Sequence, residues 1–237
     1  MGTKTKVFGI SGNQLKLLAM LCMTIDHVGA LLLPEIEILR YIGRLAMPIF
    51  AWMIAEGCTH TRNRLRYFLT LLGFGLVCQI VYWVAMESLM QCIFITFSLS
   101  VALICVMDYA VKKKNFFSLC LMGLTFTAVC YICVFLPGDL PNTDFRIDYG
   151  IYGVMLPVCI YIGRSKAEKL LAAAMCLTPL AMSHGYWQWF SFLSLPILAL
   201  YNGERGKWKL KYFFYCYYPL HKVIIYAIGW LLNRITN

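Results

Sequence analysis

The chain has 237 residues, of which 61% are hydrophobic and only 14% charged, with a net charge of +10. Soluble domains carry roughly 25% charged residues, so this composition excludes a water-soluble globular domain and predicts an all-α polytopic membrane protein. Uniformly apolar segments, without alternation, argue against a membrane β-barrel. The positive excess reads as basic loops that set membrane topology, not as a nucleic-acid surface.

Apolar runs of about 20 residues recur, each long enough to cross about 30 Å of hydrocarbon. They predict about nine transmembrane helices, at roughly 14–33, 38–60, 65–86, 91–110, 115–136, 148–163, 167–184, 187–201 and 209–232. No polar stretch is long enough for a separate soluble domain, so residues 1–237 are expected to form one transmembrane domain. The first segment carries ionisable residues and no clear small-residue cleavage site, so it reads as a span and not as a signal peptide. The eleven cysteines are scattered through the spans as small apolar residues. Cys130 and Cys133 form a CxxC inside an apolar run, with nothing flanking it like a redox or metal site. Four histidines without HExxH spacing or a Cys–His cluster predict no metal site.

The loops set the orientation. One side collects Lys4, Lys6, Lys16, Arg62, Arg64, Arg66, Lys112, Lys113, Lys114, Arg164, Lys166, Lys169, Arg205, Lys207, Lys209 and Lys211. The other side has the acidic loops with Glu35, Glu37, Glu87, Asp139, Asp144 and Asp148. Basic loops stay inside, which predicts a cytoplasmic N-terminus and a C-terminus outside.

Ionisable groups inside a span are costly, so each is a functional candidate with an expected partner. "AMLCMTIDHVGALLL", residues 19–33, sets Asp26 and His27 in the first span. The short loop after it makes the first two spans antiparallel neighbours, which brings Arg44 level with Asp26 and His27. Adjacent helix residues point about 100° apart, so Asp26 is expected to pair with Arg44 and His27 with a group on another helix. Tyr218 and His221 lie at a similar depth in the last span, and Asp148 opens the sixth span at the outer surface.

Lys16 precedes His27 by eleven residues, almost three turns, so the two share a helix face about 16 Å apart. A long ligand with an anionic head and a thin reactive tail fits that spacing, as a coenzyme A thioester would. Two basic loops are candidates for its head group. "YNGERG" supplies Gly203 and Gly206, which allow close backbone approach, with Arg205 between them. "THTRNRLR" supplies His60, Arg62 and Arg64.

Five blocks carry a family likeness. "SGNQLKLLAMLCMTIDHVGALL", "LRYIGRLAMPIFAWMIAEGCTHTRN", "DYGIYGV", "LPILALYNGERG" and "KYFFYCYYPLHKVIIY" occur in this order from about residue 10 to 228. They resemble the TraX family of integral-membrane acetylases, named for acetylating the N-terminal alanine of a conjugative pilin. Lys16-x10-His27 is also similar to the basic-x10-His pattern of the membrane acyltransferase-3 class, with Lys where Arg is common. The resemblance implies a bacterial cytoplasmic (inner) membrane protein with acetyl-CoA as donor. It implies that Asp26, His27 and Arg44 matter, with Asp148, Asn202, Gly203, Arg205, Tyr218 and His221 as further motif positions. It leaves the acceptor open: a pilin-like peptide, a glycan or a small amine.

Residues and resemblance together give one expected mechanism. The acetyl-CoA phosphates are held by Lys16, Arg62, Arg64 and Arg205, and Asn202 and Gly203 shape that site. His27 acts as general base on an amine or hydroxyl. Arg44, held by Asp26, stabilises the thioester oxyanion. Tyr218 or His221 orients the acceptor or protonates the leaving thiolate, and Asp148 faces the acceptor side. Direct transfer and an acetyl-histidine intermediate both remain open. The alternative is a proton-coupled transporter that uses Asp26, His27 and His221 as a relay.

Overall fold

The computed structural model describes residues 8–208 and 211–236. Lys4, Lys6 and Lys209 of the basic face lie outside these residues. The protein is helical, and among the described residues there is no strand beyond isolated bridges. Five segments are long and apolar enough to cross a membrane: Gly12–Leu31, Glu37–His60, Arg64–Val84, Ile93–Lys113 and Phe116–Asp139.

The chain divides into two compact units. The first combines Met1–Met53 with Gly185–Asn237, and the second is Ile54–His184. In the first unit, α1 (Gly12–Leu31) runs against α2 (Glu37–Gly43) and against α11 (Lys211–Thr236). The predicted second span is not one helix. It breaks at Arg44 and Leu45 before α3 (Ala46–His60). Pro48 explains the break, because it has no N–H to offer the Arg44 carbonyl four residues earlier. The Arg44 side chain therefore leaves from a helix end.

The predicted eighth span also differs from a regular helix. A 3₁₀ segment, Tyr186–Leu193, leads into the six-residue α10 (Ser194–Ala199). Pro196 again removes an N–H from the first turn of the α-helix. In a 3₁₀ helix residues three apart lie one above the other. Gln188, Ser191 and Ser194 therefore form one row, and all three are buried.

The second unit is built around α5 (Ile93–Lys113). It packs on α4 (Arg64–Met86), α6 (Phe116–Cys130) and α8 (Gly150–Ile162). Gly75 of α4 lets the Ile95 side chain come close, and small residues serve such helix contacts in membranes. Ser100 donates to the Val154 carbonyl at 2.8 Å, tying α5 to α8. A π-helical turn, Tyr131–Phe135, continues α6 into α7 (Leu136–Asp139). The hairpin partner of α8 is α9 (Lys166–His184). The thirteen-residue α8 is shorter than the predicted sixth span, 148–163.

The outward faces show which solvent the helices suit. Along α6, Phe116, Phe117, Leu119, Leu124 and Phe126 are exposed. Along α4, Leu65, Leu69, Leu76, Val77 and Ile80 are exposed. Apolar surface of this extent is a liability in water and is the ordinary surface of a helix in lipid.

Candidate functional site

The polar groups predicted to meet in the first unit do meet. Asp26 Oδ1 accepts from Arg44 Nη2 at 2.6 Å. Sequence reasoning missed a second arginine on the same oxygen: Arg40 Nη1 lies 3.1 Å from it and also donates to the Asp26 carbonyl at 3.0 Å. Arg40 precedes Arg44 by one helical turn, and that spacing was the available signal. The approach depends on Gly43, where a Cβ would collide with the Asp26 side chain. One carboxylate thus faces two guanidinium groups, all three largely buried.

Arg44 also reaches the 3₁₀ segment, where Nη1 donates to Gln188 Oε1 at 3.4 Å. The Gln188 amide nitrogen and the Ser191 hydroxyl are buried without a hydrogen-bond partner. Buried polar groups are nearly always paired, and the Gln188 amide nitrogen is one of the exceptions, next to Arg44. The sequence signal was slight: one glutamine inside the aromatic run "YWQWF".

His27 makes its contact with α11. Its Nδ1 lies 2.7 Å from His221 Nε2, with the rings tilted at 4.9 Å between centroids. His221 Nδ1 lies 3.0 Å from the Tyr217 carbonyl one turn earlier in α11. The Tyr217 ring stacks on His221 at 5.3 Å, and its hydroxyl meets Thr24 Oγ1 at 2.7 Å. Buried Tyr218 sits edge-on to His221 at 5.7 Å, with Lys222 Nζ over its ring. Tyr217, Thr24 and Lys222 were not foreseen. Tyr217 is four residues before His221, so it had to share its face.

At the other end of α1, Lys16 Nζ lies 5.6 Å from the Phe214 ring centre on α11. The "YNGERG" loop spends its carbonyls on α1: Glu204 O accepts from Gly12 N at 2.7 Å, and Arg205 O from Asn13 N at 2.9 Å. Asn202 closes the loop by accepting from Glu204 N at 2.9 Å. Gly206, at φ +90°, lies against Ser11 and Asn13, whereas Gly203, at φ +78°, faces open space. The first amides of α1 are thus satisfied by carbonyls. An anion at this end would meet the Lys16 and Arg205 side chains instead.

Three predicted residues belong to the second unit. Arg62 is exposed. Arg64 is committed: it bonds Asp108, the Tyr161 hydroxyl at 2.8 Å and the Cys58 carbonyl at 3.1 Å. The Asp148 backbone ties to Thr96 and Gln91. Glu56, near His60, pairs with Lys169 at 2.5 Å.

The class defined here is a helical protein with membrane-length apolar helices and a histidine pair, half-buried His27 on buried His221, next along α1 to an arginine-rich carboxylate cluster. The family model described as TraX protein matches residues 11–229, and the chain belongs to the TraX family. It is 28% identical over 251 aligned positions to the probable fimbrial assembly protein FimC, serogroup H1, of Dichelobacter nodosus, covering 91% of this chain and 94% of the relative. It is 58% identical over 38 residues to the uncharacterized protein RP591 of Rickettsia prowazekii (strain Madrid E), covering 16% of this chain and 15% of the relative. No solved structure matches the chain.

Proposed function

We propose that the protein is a multi-pass acetyltransferase of the bacterial inner membrane. Acetyl-CoA enters from the cytoplasm, and an amine or hydroxyl at or beyond the outer face receives the acetyl group. The observation that carries the reading is the part-buried His27–His221 pair, one residue along α1 from a carboxylate held by two arginines. The basic-side loops support a cytoplasmic N-terminus and about nine crossings, the shorter and broken helices included.

In this reading the donor phosphates lie with Lys16 and Arg205, and the thioester reaches the level of His27. His27 removes the acceptor proton as the nitrogen or oxygen attacks the thioester carbon. Arg44, fixed by Asp26 and Gln188, faces the oxyanion in a water-poor setting where such donors are worth most. The C–S bond then breaks and the thiolate of coenzyme A leaves, protonated by the imidazolium. The fimbrial name of the Dichelobacter relative and the family's namesake activity favour a pilin-like peptide N-terminus as acceptor, over a glycan or small amine.

A thermal-shift titration of purified protein with coenzyme A, acetyl-CoA and longer acyl-CoAs tests the donor. A ligand at about 100 times its Kd stabilises by about 2.7 kcal/mol. His27→Ala is expected to keep that shift and lose acetyl transfer. No shift with any acyl-CoA, or full transfer by His27→Ala, overturns the reading. The direct contact of His27 with His221 also suits a proton relay, so proton-driven uptake into proteoliposomes without acyl-CoA binding would favour a transporter.

A further inference from the structure

We infer that His221, together with the Tyr217 backbone carbonyl, fixes which nitrogen of His27 is the base. The inference rests on the acetyltransferase reading and deepens it by naming the reacting atom and the residue that selects it.

The direction of the chain of hydrogen bonds follows from chemistry. A carbonyl oxygen can only accept, so His221 Nδ1, 3.0 Å from Tyr217 O, carries the proton. A neutral imidazole has one N–H, so His221 Nε2 is bare and accepts. The group facing it at 2.7 Å is His27 Nδ1, which must then be the donor. Neutral His27 therefore carries its proton on Nδ1 and holds its lone pair on Nε2, the nitrogen turned away from His221.

The surroundings hold this arrangement in place. Thr24 Oγ1 donates to the Met20 carbonyl at 2.9 Å, so the Tyr217 hydroxyl donates to Thr24. That bond ties Tyr217 to α1 one turn below His27, and its ring stacks nearly parallel to His221, at 5°. Both ends of the relay are thus anchored to α1 and α11. His221 is a positioning residue: it orders the tautomer of His27 and makes no contact with substrate. In the transfer step the acceptor proton goes to His27 Nε2, and the same atom returns it to the departing thiolate.

The prediction is tested on the protein without donor or acceptor. Four histidines make ¹⁵N-histidine labelling tractable, with His27→Ala and His221→Gln assigning the signals. Wild type is expected to show His27 and His221 both protonated at Nδ1 and bare at Nε2. His221→Gln, whose side-chain oxygen accepts as the ring nitrogen did, is expected to keep the His27 tautomer. His221→Leu is expected to release His27 toward Nε2–H. A wild-type His27 protonated at Nε2, or a His221 protonated at both nitrogens, overturns the inference, and the wild-type spectrum decides even if a variant does not fold. Acyl-CoA binding is scored separately by thermal shift. Loss of the tautomer pattern with binding retained defeats only this inference, and absence of binding defeats the acetyltransferase reading.

Discussion

Two aspartates, Asp26 and Asp108, sit on long apolar helices and each meets arginine, yet they end in different arrangements. Asp108 Oδ2 takes Arg64 and the Tyr161 hydroxyl, and Arg64 turns its remaining donor to the Cys58 carbonyl. One negative and one positive charge cancel, and the ends of α4, α5 and α8 are fastened. Asp26 takes two arginines on one oxygen. Arg44 also reaches Gln188, whose amide nitrogen is buried without a hydrogen-bond partner. The difference is one of stoichiometry. The first pairs one arginine with one carboxylate across three helix ends, whereas the second gathers two arginines of neighbouring turns on one carboxylate oxygen.

Removing the carboxylate at each place should separate the two sharply. Asp26→Asn removes the carboxylate that two largely buried guanidinium groups share. Breaking a buried pair from one side costs about 3–5 kcal/mol, so this variant should lose the most stability. The measurement is denaturant or thermal unfolding in a fixed detergent. A loss as small as that of Asp108→Asn would end the distinction drawn above.

Gly43→Ala sharpens the same point without touching a charge. The added methyl would run into the Asp26 side chain and push it off the arginines. Overpacking of this kind costs about 1–3 kcal/mol. Acyl-CoA binding or transfer should fall more than stability alone explains. An unchanged variant would mean that the Asp26 geometry is not tight.

The sequence made Asp26–Arg44 legible because the two residues fall level on consecutive antiparallel segments. It made His221 legible because an ionisable residue inside the last span, at the depth of His27, needs a partner. Arg40 was legible in principle from its spacing to Arg44, one helical turn away. Gln188 was not legible, because nothing in "YWQWF" announces a 3₁₀ segment that aligns it with Ser191 and Ser194. The head-group loop shows the limit of composition. Glycines and an arginine look like an anion cradle, yet the backbone carbonyls of the loop cap α1.

Asp108→Asn should cost less than Asp26→Asn. Arg64 and Asp108 are about a quarter and a fifth exposed, so water screens part of the loss. About 1–2 kcal/mol is expected, in line with one hydrogen bond to a charged group. Acyl-CoA binding should stay as in wild type. Loss of binding at matched stability would make this pair part of the site and not a fastening.

The smallest effect belongs to a carboxylate outside the helices. Asp144 accepts from the Ser88 hydroxyl at 2.5 Å and from the Leu89 amide at 2.7 Å. The Ser88 hydrogen bond, then the backbone one, holds its carboxyl below the usual range. Because the folded value is depressed, the stabilisation is present above the unfolded value, about 3.9. It is lost as pH falls through the folded value below that. Ser88→Ala should therefore lower the Tm slightly at about pH 5, and the gap to wild type should narrow on approach to about pH 3. Wild-type and variant curves that stay parallel across this window would show that the Ser88–Asp144 bond does not contribute to acid stability. A gap rivalling that of Asp26→Asn would contradict the view that exposed carboxylates here tie loops while buried ones organise the helices.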